Sequence, residues 1–373
     1  MKNGKLLITT ALGIAVATLA GIGGFALGKT SEQKQHQIEK EFSIQLKRSE
    51  LDGLGEVNGP VYVTGHKSPD SDTVGSAIAY ASLLRALGYD ATPVILGNVN
   101  HETAHILKKA GTDTPKLLEN ASGLNMVLVD HSENAQSADG LKDANIIGII
   151  DHHAAGTVTT GGQLIYDARP LGSTATIIWL RYKDYGLVPD RQTAYVMTGA
   201  ILSDTKNLTS DSTTFADREA LKELSGIAGI KDTDALYHEM YKESLSYEGM
   251  TDEEIFFSDY KEYECGGFKY SIGCIKAYDE ESAKDLAQRV KKVMPGTLSK
   301  TGMDMSFAQI NVTRDNISVT YLVPSDDTAN EVINNAFGDK TSFDGTSYRA
   351  EPNLSRKKDV APAITGILEA HPK

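Results

Sequence analysis

The stretch VYVTGHKSPDSDTVGSAIAYASLL, residues 61–84, decides how this chain is read. Val61–Gly65 is a short β-branched and apolar run that ends in glycine, which predicts a strand. Thr73–Leu87 repeats apolar residues at helical spacing, which predicts a helix. Between the two stand His66, Asp70 and Asp72. Taken alone, Asp72 reads as the N-cap of a helix from Thr73. A histidine and two carboxylates within seven residues, at the corner where a strand becomes a helix, ask for more than a cap.

The pattern recurs further along. Asn125–Asp130 (NMVLVD) and Ile146–Asp151 (IIGIID) are continuous apolar runs, as expected of strands buried on two faces. One ends in Asp130 and His131, the other in Asp151, His152 and His153. A strand is expected at Thr92–Leu96, and helices at His101–Ala110, Ser173–Tyr185, Arg191–Leu202 and Thr214–Ser225. This alternation predicts an α/β domain with a parallel, doubly wound sheet covered by helices. Ligands of such sheets bind outside the carboxyl ends of the strands. Three acid-bearing strand ends should therefore meet in one crevice. Asp204, in ILSDTKNL, stands at the end of a helical stretch.

Carboxylates crowded together stay ionised only around a cation. Asp and His ligands without thiolate suit Mn²⁺, Co²⁺, Fe²⁺ or Mg²⁺ better than structural zinc. So many ligands exceed the needs of one ion, and two ions sharing a carboxylate are suited to in-line displacement at phosphorus.

The rest of the chain bounds this reading. Its 373 residues allow two domains of ordinary size. A net charge of −13 argues against nucleic acid as a partner, and an anionic substrate would need metals, Lys or Arg close by. Beyond the Gly- and Asp-marked hinge at GIAGIKDTD, residues 226–234, the segments FFSDYKEYE, FKYSIGCIKAY, MSFAQINVT and NISVTYLVP alternate as strands do. A helix is expected near Glu280–Met294, so a smaller mixed α+β domain follows the first. Cys265 and Cys274 flank a hairpin turn at Gly266–Gly267, in a register that keeps the two sulfurs apart.

At the N-terminus, Lys2 and Lys5 precede 23 uncharged residues, Leu6 to Gly28. That length suits a membrane anchor with an exported body, and small residues at Ala26 and Gly28 allow a cleaved signal instead. The expected organisation is an anchor or signal at 1–29, a polar stalk at 30–59, a metal-binding α/β domain at 60–228 and a phosphate-binding domain at 235–371.

The motifs GHKSPDSD, VDHSE, DHH, GSTAT and LSDT together resemble the DHH phosphoesterase superfamily. LSRKKDVAP, residues 354–362, resembles an element of its manganese-dependent branch, the family II inorganic pyrophosphatases. The resemblance implies hydrolysis of pyrophosphate to two phosphates by a hydroxide shared between two divalent ions, Mn²⁺ foremost and Co²⁺ or Mg²⁺ in reserve. His66, Asp70 and Asp130 would hold one ion; Asp72, Asp130, His152 and Asp204 the other. His153 would contact substrate, and Lys242, Arg356 and Lys357 would bind phosphate. A homodimer is also implied. Ser68, Ala154 and Asp359 depart from the residues usual at those positions, and KNLTSDS replaces the apolar run usual after the SDT motif.

A competing motif is HETAH, residues 101–105, which matches the HExxH pattern of zinc proteases. It falls on a short helix between two strands, with no third ligand in view. A phosphoesterase acting on polyphosphate or a nucleotide is a second alternative, and a phosphate-binding protein without activity a third.

Overall fold

The computed structural model describes residues 25–373, residue 315 excepted. Helix α1 (Phe25–Arg48) leads through a 3₁₀ turn into β1 (Val61–Thr64). Then follow α2 (Ser71–Ala86), β2 (Ala91–Ile95), α3 (His101–Ala110), β3 (Lys116–Leu117), β4 (Asn125–Val129), β5 (Asn145–Asp151) and β6 (Ile165–Ala168). The six strands form one parallel sheet in the order β3-β2-β1-β4-β5-β6. The chain leaves β1 toward one edge and returns at β4 on the other side, so the crevice at the carboxyl ends opens between β1 and β4.

Four helices complete this half: α4 (Thr174–Asp184), α5 (Arg191–Asp204), α6 (Phe215–Ala228) and α7 (Thr233–Ser244). They pack with α2 and α3 on one face of the sheet, over Val61, Val63, Val127 and Val129. The opposite face, carrying Met126, Leu128, Ile146 and Ile149, is covered without an α-helix. The connection after β4 is a loop with short 3₁₀ turns, such as Leu141–Asp143, and the connection after β5 is a loop. The expected doubly wound covering is thus corrected. The parallel sheet is there, but helices cover one of its faces.

The second half comprises α8 (Asp252–Phe257), β7 (Tyr260–Cys265), β8 (Phe268–Ala277), α9 (Glu280–Thr301), β9 (Met305–Arg314), β10 (Ile317–Pro324), α10 (Asp327–Phe337), β11 (Thr341–Phe343), β12 (Tyr348–Ala350) and α11 (Ala361–Ala370). Its mixed sheet runs β11-β12-β10-β9-β8-β7, and β8 and β9 are its parallel pair, joined through α9. The β7–β8 hairpin pairs Cys265 with Phe268 around Gly266 and Gly267, both at positive φ, and both cysteines are free.

The segment before β1 is not a free stalk along its whole length. The Arg48 guanidinium donates to the Tyr185 carbonyl at 2.7 Å, Glu50 accepts from Arg181 and Tyr185, and Leu51, Leu54 and Val57 pack on the first core. The expected membrane anchor falls almost wholly on residues 1–24, outside the described residues. Among the described residues, no helix is long and apolar enough to cross a membrane.

Candidate metal centre

The site is built where β1 and β4 end. Asp130 follows β4 with φ at +61°, a left-handed conformation that aspartate tolerates better than most side chains. Its carboxylate is buried. Oδ2 accepts from Thr73 Oγ1 at 2.8 Å and Oδ1 from Thr174 Oγ1 at 3.1 Å, so α2 and α4 both hold it.

Asp70 and Asp72 come from the start of α2. The N-cap is Asp70, whose Oδ1 accepts from Thr73 N at 2.9 Å, and not Asp72 as the sequence alone suggests. Asp72 lies inside the first turn, fully buried. Its oxygens accept from Ser173 Oγ at 2.8 Å, Thr174 N at 2.7 Å and Ala175 N at 3.1 Å, all at the N-terminus of α4. A helix N-terminus favours such an anion.

The close packing of β1's end against α2 depends on Gly65. A Cβ there would lie 2.3 Å from Thr73 Cγ2 and 2.9 Å from Thr73 Oγ1, the hydroxyl that holds Asp130. Gly65→Ala is therefore expected to lower stability by about 1–3 kcal/mol and to weaken manganese binding as well. Thermal unfolding with and without Mn²⁺ checks both, and an unchanged manganese-induced shift would dissociate Gly65 from the centre.

Two histidines complete the cluster. His66 Nδ1 lies 2.7 Å from the Lys67 carbonyl, which directs Nε2 inward, 3.5 Å from both Asp70 Oδ2 and Asp130 Oδ2. His152 Nδ1 lies 3.0 Å from the Leu171 carbonyl. Its Nε2 stands 3.4 Å from Asp130 Oδ1 and from Asp204 Oδ2, and 4.0 Å from Asp72 Oδ2. That nitrogen is buried and makes no hydrogen bond. With Nδ1–H donated to a carbonyl, each Nε2 faces carboxylate oxygens and is the atom that a proton or a cation would occupy. A divalent cation would take the proton's place there, and a carbonyl on the outer nitrogen is the usual companion of a ligating imidazole.

The ligand atoms fall into overlapping groups, each within 4.8 Å: His66, Asp70 and Asp130; Asp72, Asp130, His152 and Asp204; and Asp130, His152 and His153. Asp130 belongs to all three. The donor set is nitrogen and oxygen only, which matches a hard or borderline ion.

The charges tell the same story. Burial opposes protonation of His66, but Asp130 and Asp70 outweigh it and push its pKa up to about 11. His152 is likewise pushed up to about 9, against its burial, by Asp130 and Asp72. Burial, then the charge of Asp130, raises Asp72 to about 7, and burial with Asp72 and Asp130 raises Asp204 to about 11. Asp130 goes the other way: against its burial, His152 and His66 hold its carboxyl well below the usual carboxylate range, so a buried anion stands ready for a cation.

Asp151 plays a different part from the other strand-end acids. Its Oδ1 accepts from the backbone N of His153 and faces His153 Nδ1, both at 3.0 Å, while Oδ2 accepts from Ser132 at 2.9 Å. It orients His153, whose ring is half-exposed at the mouth of the site. His131 is turned away, with Nδ1 2.9 Å from the Val129 carbonyl and Nε2 3.0 Å from Ser137 Oγ.

In the second half, Arg356 and Lys357 line a cavity of about 780 Å³ together with Lys261, Lys276 and Tyr263. Asp259 holds the Arg356 guanidinium through its carboxylate at 2.7 Å and its carbonyl at 2.6 Å. Lys242 is not among the residues lining this cavity. It lies on α7, with Nζ 6.0 Å from the Tyr278 ring centroid. Lys261, which lines the same cavity, is not singled out by the sequence. Only the pairing of β7 with β8, and the packing of the Arg356 turn against them, brings it beside Arg356.

In HETAH, His105 Nε2 pairs with Glu239 of α7 at 3.2 Å, and Glu102 accepts from Ser71. The two histidines of that motif share no metal-binding group among the described residues.

Comparison with known proteins agrees with this geometry. Residues 60–201 match the DHH family, N-terminal domain, and residues 238–367 match the DHHA2 domain. The "probable manganese-dependent inorganic pyrophosphatase" of Clostridium acetobutylicum is 37% identical over 311 residues, covering 83% of this chain and 98% of its own. The manganese-dependent inorganic pyrophosphatase of Methanocaldococcus jannaschii is 35% identical over 313 residues, covering 81% and 97%. A solved Methanococcus jannaschii structure assigned to the family II inorganic pyrophosphatases superposes with a TM-score of 0.51 at 34% identity, covering 82% and 99%.

These relatives also correct the exported, membrane-anchored location expected from the N-terminus. They are matched along nearly their whole length, and the family match begins at residue 60, so an N-terminal anchor is no part of what they share with this chain. The strand-end ligands, the two matched domains and these identities converge: the chain belongs to the DHH family, among the manganese-dependent inorganic pyrophosphatases.

Proposed function

We propose that the chain hydrolyses inorganic pyrophosphate to two phosphates, using two divalent ions, manganese foremost. The observation that carries this is Asp130, shared by all the candidate ligand groups and 3.4 Å from the buried Nε2 of His152. His66, Asp70 and Asp130 would hold one ion, and Asp72, Asp130, His152 and Asp204 the other. Bound there, such ions polarise phosphate oxygens and make water nucleophilic near neutral pH.

The protein's own groups do the rest. The Lys67 and Leu171 carbonyls fix the tautomers of His66 and His152. The Asp151 carboxylate raises the pKa of His153, so this imidazole keeps its charge to higher pH than a free one and offers Nε2–H to a phosphate oxygen. Arg356, Lys261 and Lys357 would neutralise the departing phosphate, Arg as a planar fork and the lysines as mobile point charges.

The test is phosphate release by the purified protein with Mn²⁺, from pyrophosphate, tripolyphosphate and a dinucleotide. Fast release from pyrophosphate, far above the other two, is expected; a dinucleotide cut as fast as pyrophosphate would overturn the proposal. A charge-assisted hydrogen bond contributes roughly 1.5–3 kcal/mol. Lys261→Ala and Lys357→Ala should therefore lower kcat/KM about 10- to 100-fold, with kcat falling as well, whereas Lys242→Ala should stay close to wild type. Steady-state kinetics of the three variants decides between the lysines.

A further inference from the structure

The metal centre leaves Glu102 without a part. It sits in the first turn of α3, behind the ligands. Its Oε1 accepts from Ser71 Oγ at 3.3 Å, and Glu102 and Ser203 line one cavity. Ser71 lies between Asp70 and Asp72 in sequence, and Ser203 immediately precedes Asp204. One carboxylate thus holds one of the serines that flank ligands and stands at the same cavity as the other, from two helices far apart in the chain. Ser71 is gripped from the same helix a second time, by Thr103 Oγ1 at 3.0 Å.

Helix α3 is itself fixed. Ile106 and Leu107 are buried in the first core, and Gly199 of α5 leaves room for Ile106, whose Cδ1 would lie 2.8 Å from a Cβ there. On the other side, His105 and Lys109 pair with Glu239 of α7 at 3.2 and 2.6 Å. Glu102 is consequently carried by a post that cannot follow a shift of either serine.

We propose that Glu102 is a positioning residue for the metal pair: it ties the corner bearing Asp70 and Asp72 to the end of α5 bearing Asp204, and so sets the spacing of the two ion positions. The inference rests on the two-ion reading above. It absorbs the HETAH stretch without a protease: the glutamate stands at the neighbours of metal ligands, and the second histidine anchors the helix that presents it. The ordinary alternative is that Glu102 only complements the α3 dipole, as an acid in a first helical turn does.

Isothermal titration of the metal-free protein with Mn²⁺ separates the two. Loss of a partner bonded directly to a metal ligand typically weakens binding about 10- to 100-fold, and Glu102 holds a ligand's neighbour, so about tenfold is the expected scale. That loss is expected for Glu102→Ala in the weaker of the two binding steps. Glu102→Gln keeps an oxygen that can accept a serine hydroxyl, so it should stay within about threefold of wild type. The Ser71→Ala/Ser203→Ala double variant should reproduce the loss while leaving the α3 charge in place. KM for pyrophosphate at saturating manganese should not move.

Wild-type manganese affinity in Glu102→Ala, or in the double serine variant, would overturn the inference alone. So would equal losses in Glu102→Ala and Glu102→Gln accompanied by equal falls in melting temperature, the signature of a dipole role. A wild-type protein that binds no manganese would remove the two-ion reading and this inference with it.

Discussion

Asp130→Asn is expected to lower kcat for pyrophosphate by about 10³-fold or more and to cut manganese stoichiometry from two ions to one at most. The substitution keeps the shape of the side chain and removes its charge. Asp130 is the member common to every ligand group, so its loss reaches both ion positions at once. Metal ions contribute several kcal/mol of charge stabilisation to phosphoryl transfer, and each 1.36 kcal/mol is tenfold in rate, which gives about 10³ for ~4 kcal/mol. The fold should survive. Thr73 and Thr174 hydroxyls can rotate to serve an amide, and the left-handed backbone at this position suits asparagine as well as aspartate. Kinetics at saturating Mn²⁺, calorimetric stoichiometry and a far-ultraviolet spectrum would be measured together. Undiminished turnover with a native spectrum would contradict the bridging role.

The centre was largely legible in the sequence because each half of a strand–turn–ligand unit is local. An apolar run predicts where a strand ends, and the residue after it is the one a parallel sheet delivers to the crevice. That rule points to His66, Asp70, Asp72, Asp130, His131 and Asp151–His153, and of these all but His131 and Asp151 fall in the candidate ligand groups. What sequence alone missed depends on contacts between distant segments. Lys261 reaches the Arg356 cavity through tertiary packing, and Lys242 lies on α7 with its Nζ 6.0 Å from the Tyr278 ring centroid. The choice of Asp70 over Asp72 as cap turned on α4, whose N-terminal amides claim Asp72 from a hundred residues away. The bare face of the parallel sheet escaped notice because buried strands look alike whether helices or loops cover them. Ser68 now has a physical reading: its φ is +57°, a conformation asparagine adopts more readily than serine.

Chelation is expected to abolish activity, Mn²⁺ to restore it, and manganese affinity to rise with pH between about 6.5 and 8.5. The sign follows from the two imidazoles. An unperturbed histidine has a pKa near 6.5, and the carboxylates lift His66 to about 11 and His152 to about 9. In the metal-free protein both rings therefore hold protons at neutral pH, and manganese must displace them to reach Nε2. Each displaced proton makes binding about tenfold tighter per pH unit. The metal-free fold runs the opposite way. Folded-state pKa values above the unfolded ones stabilise it fully below about pH 6.5, and that contribution is lost as pH rises through about 9 and then 11. Melting temperatures with chelator should fall from pH 7 to 10, while the upward shift on adding Mn²⁺ should be larger at pH 8.5 than at pH 6.5. A shift that shrinks with pH over that range would mean that manganese and protons do not compete for His66 and His152, and the ligand assignment of both histidines would fall.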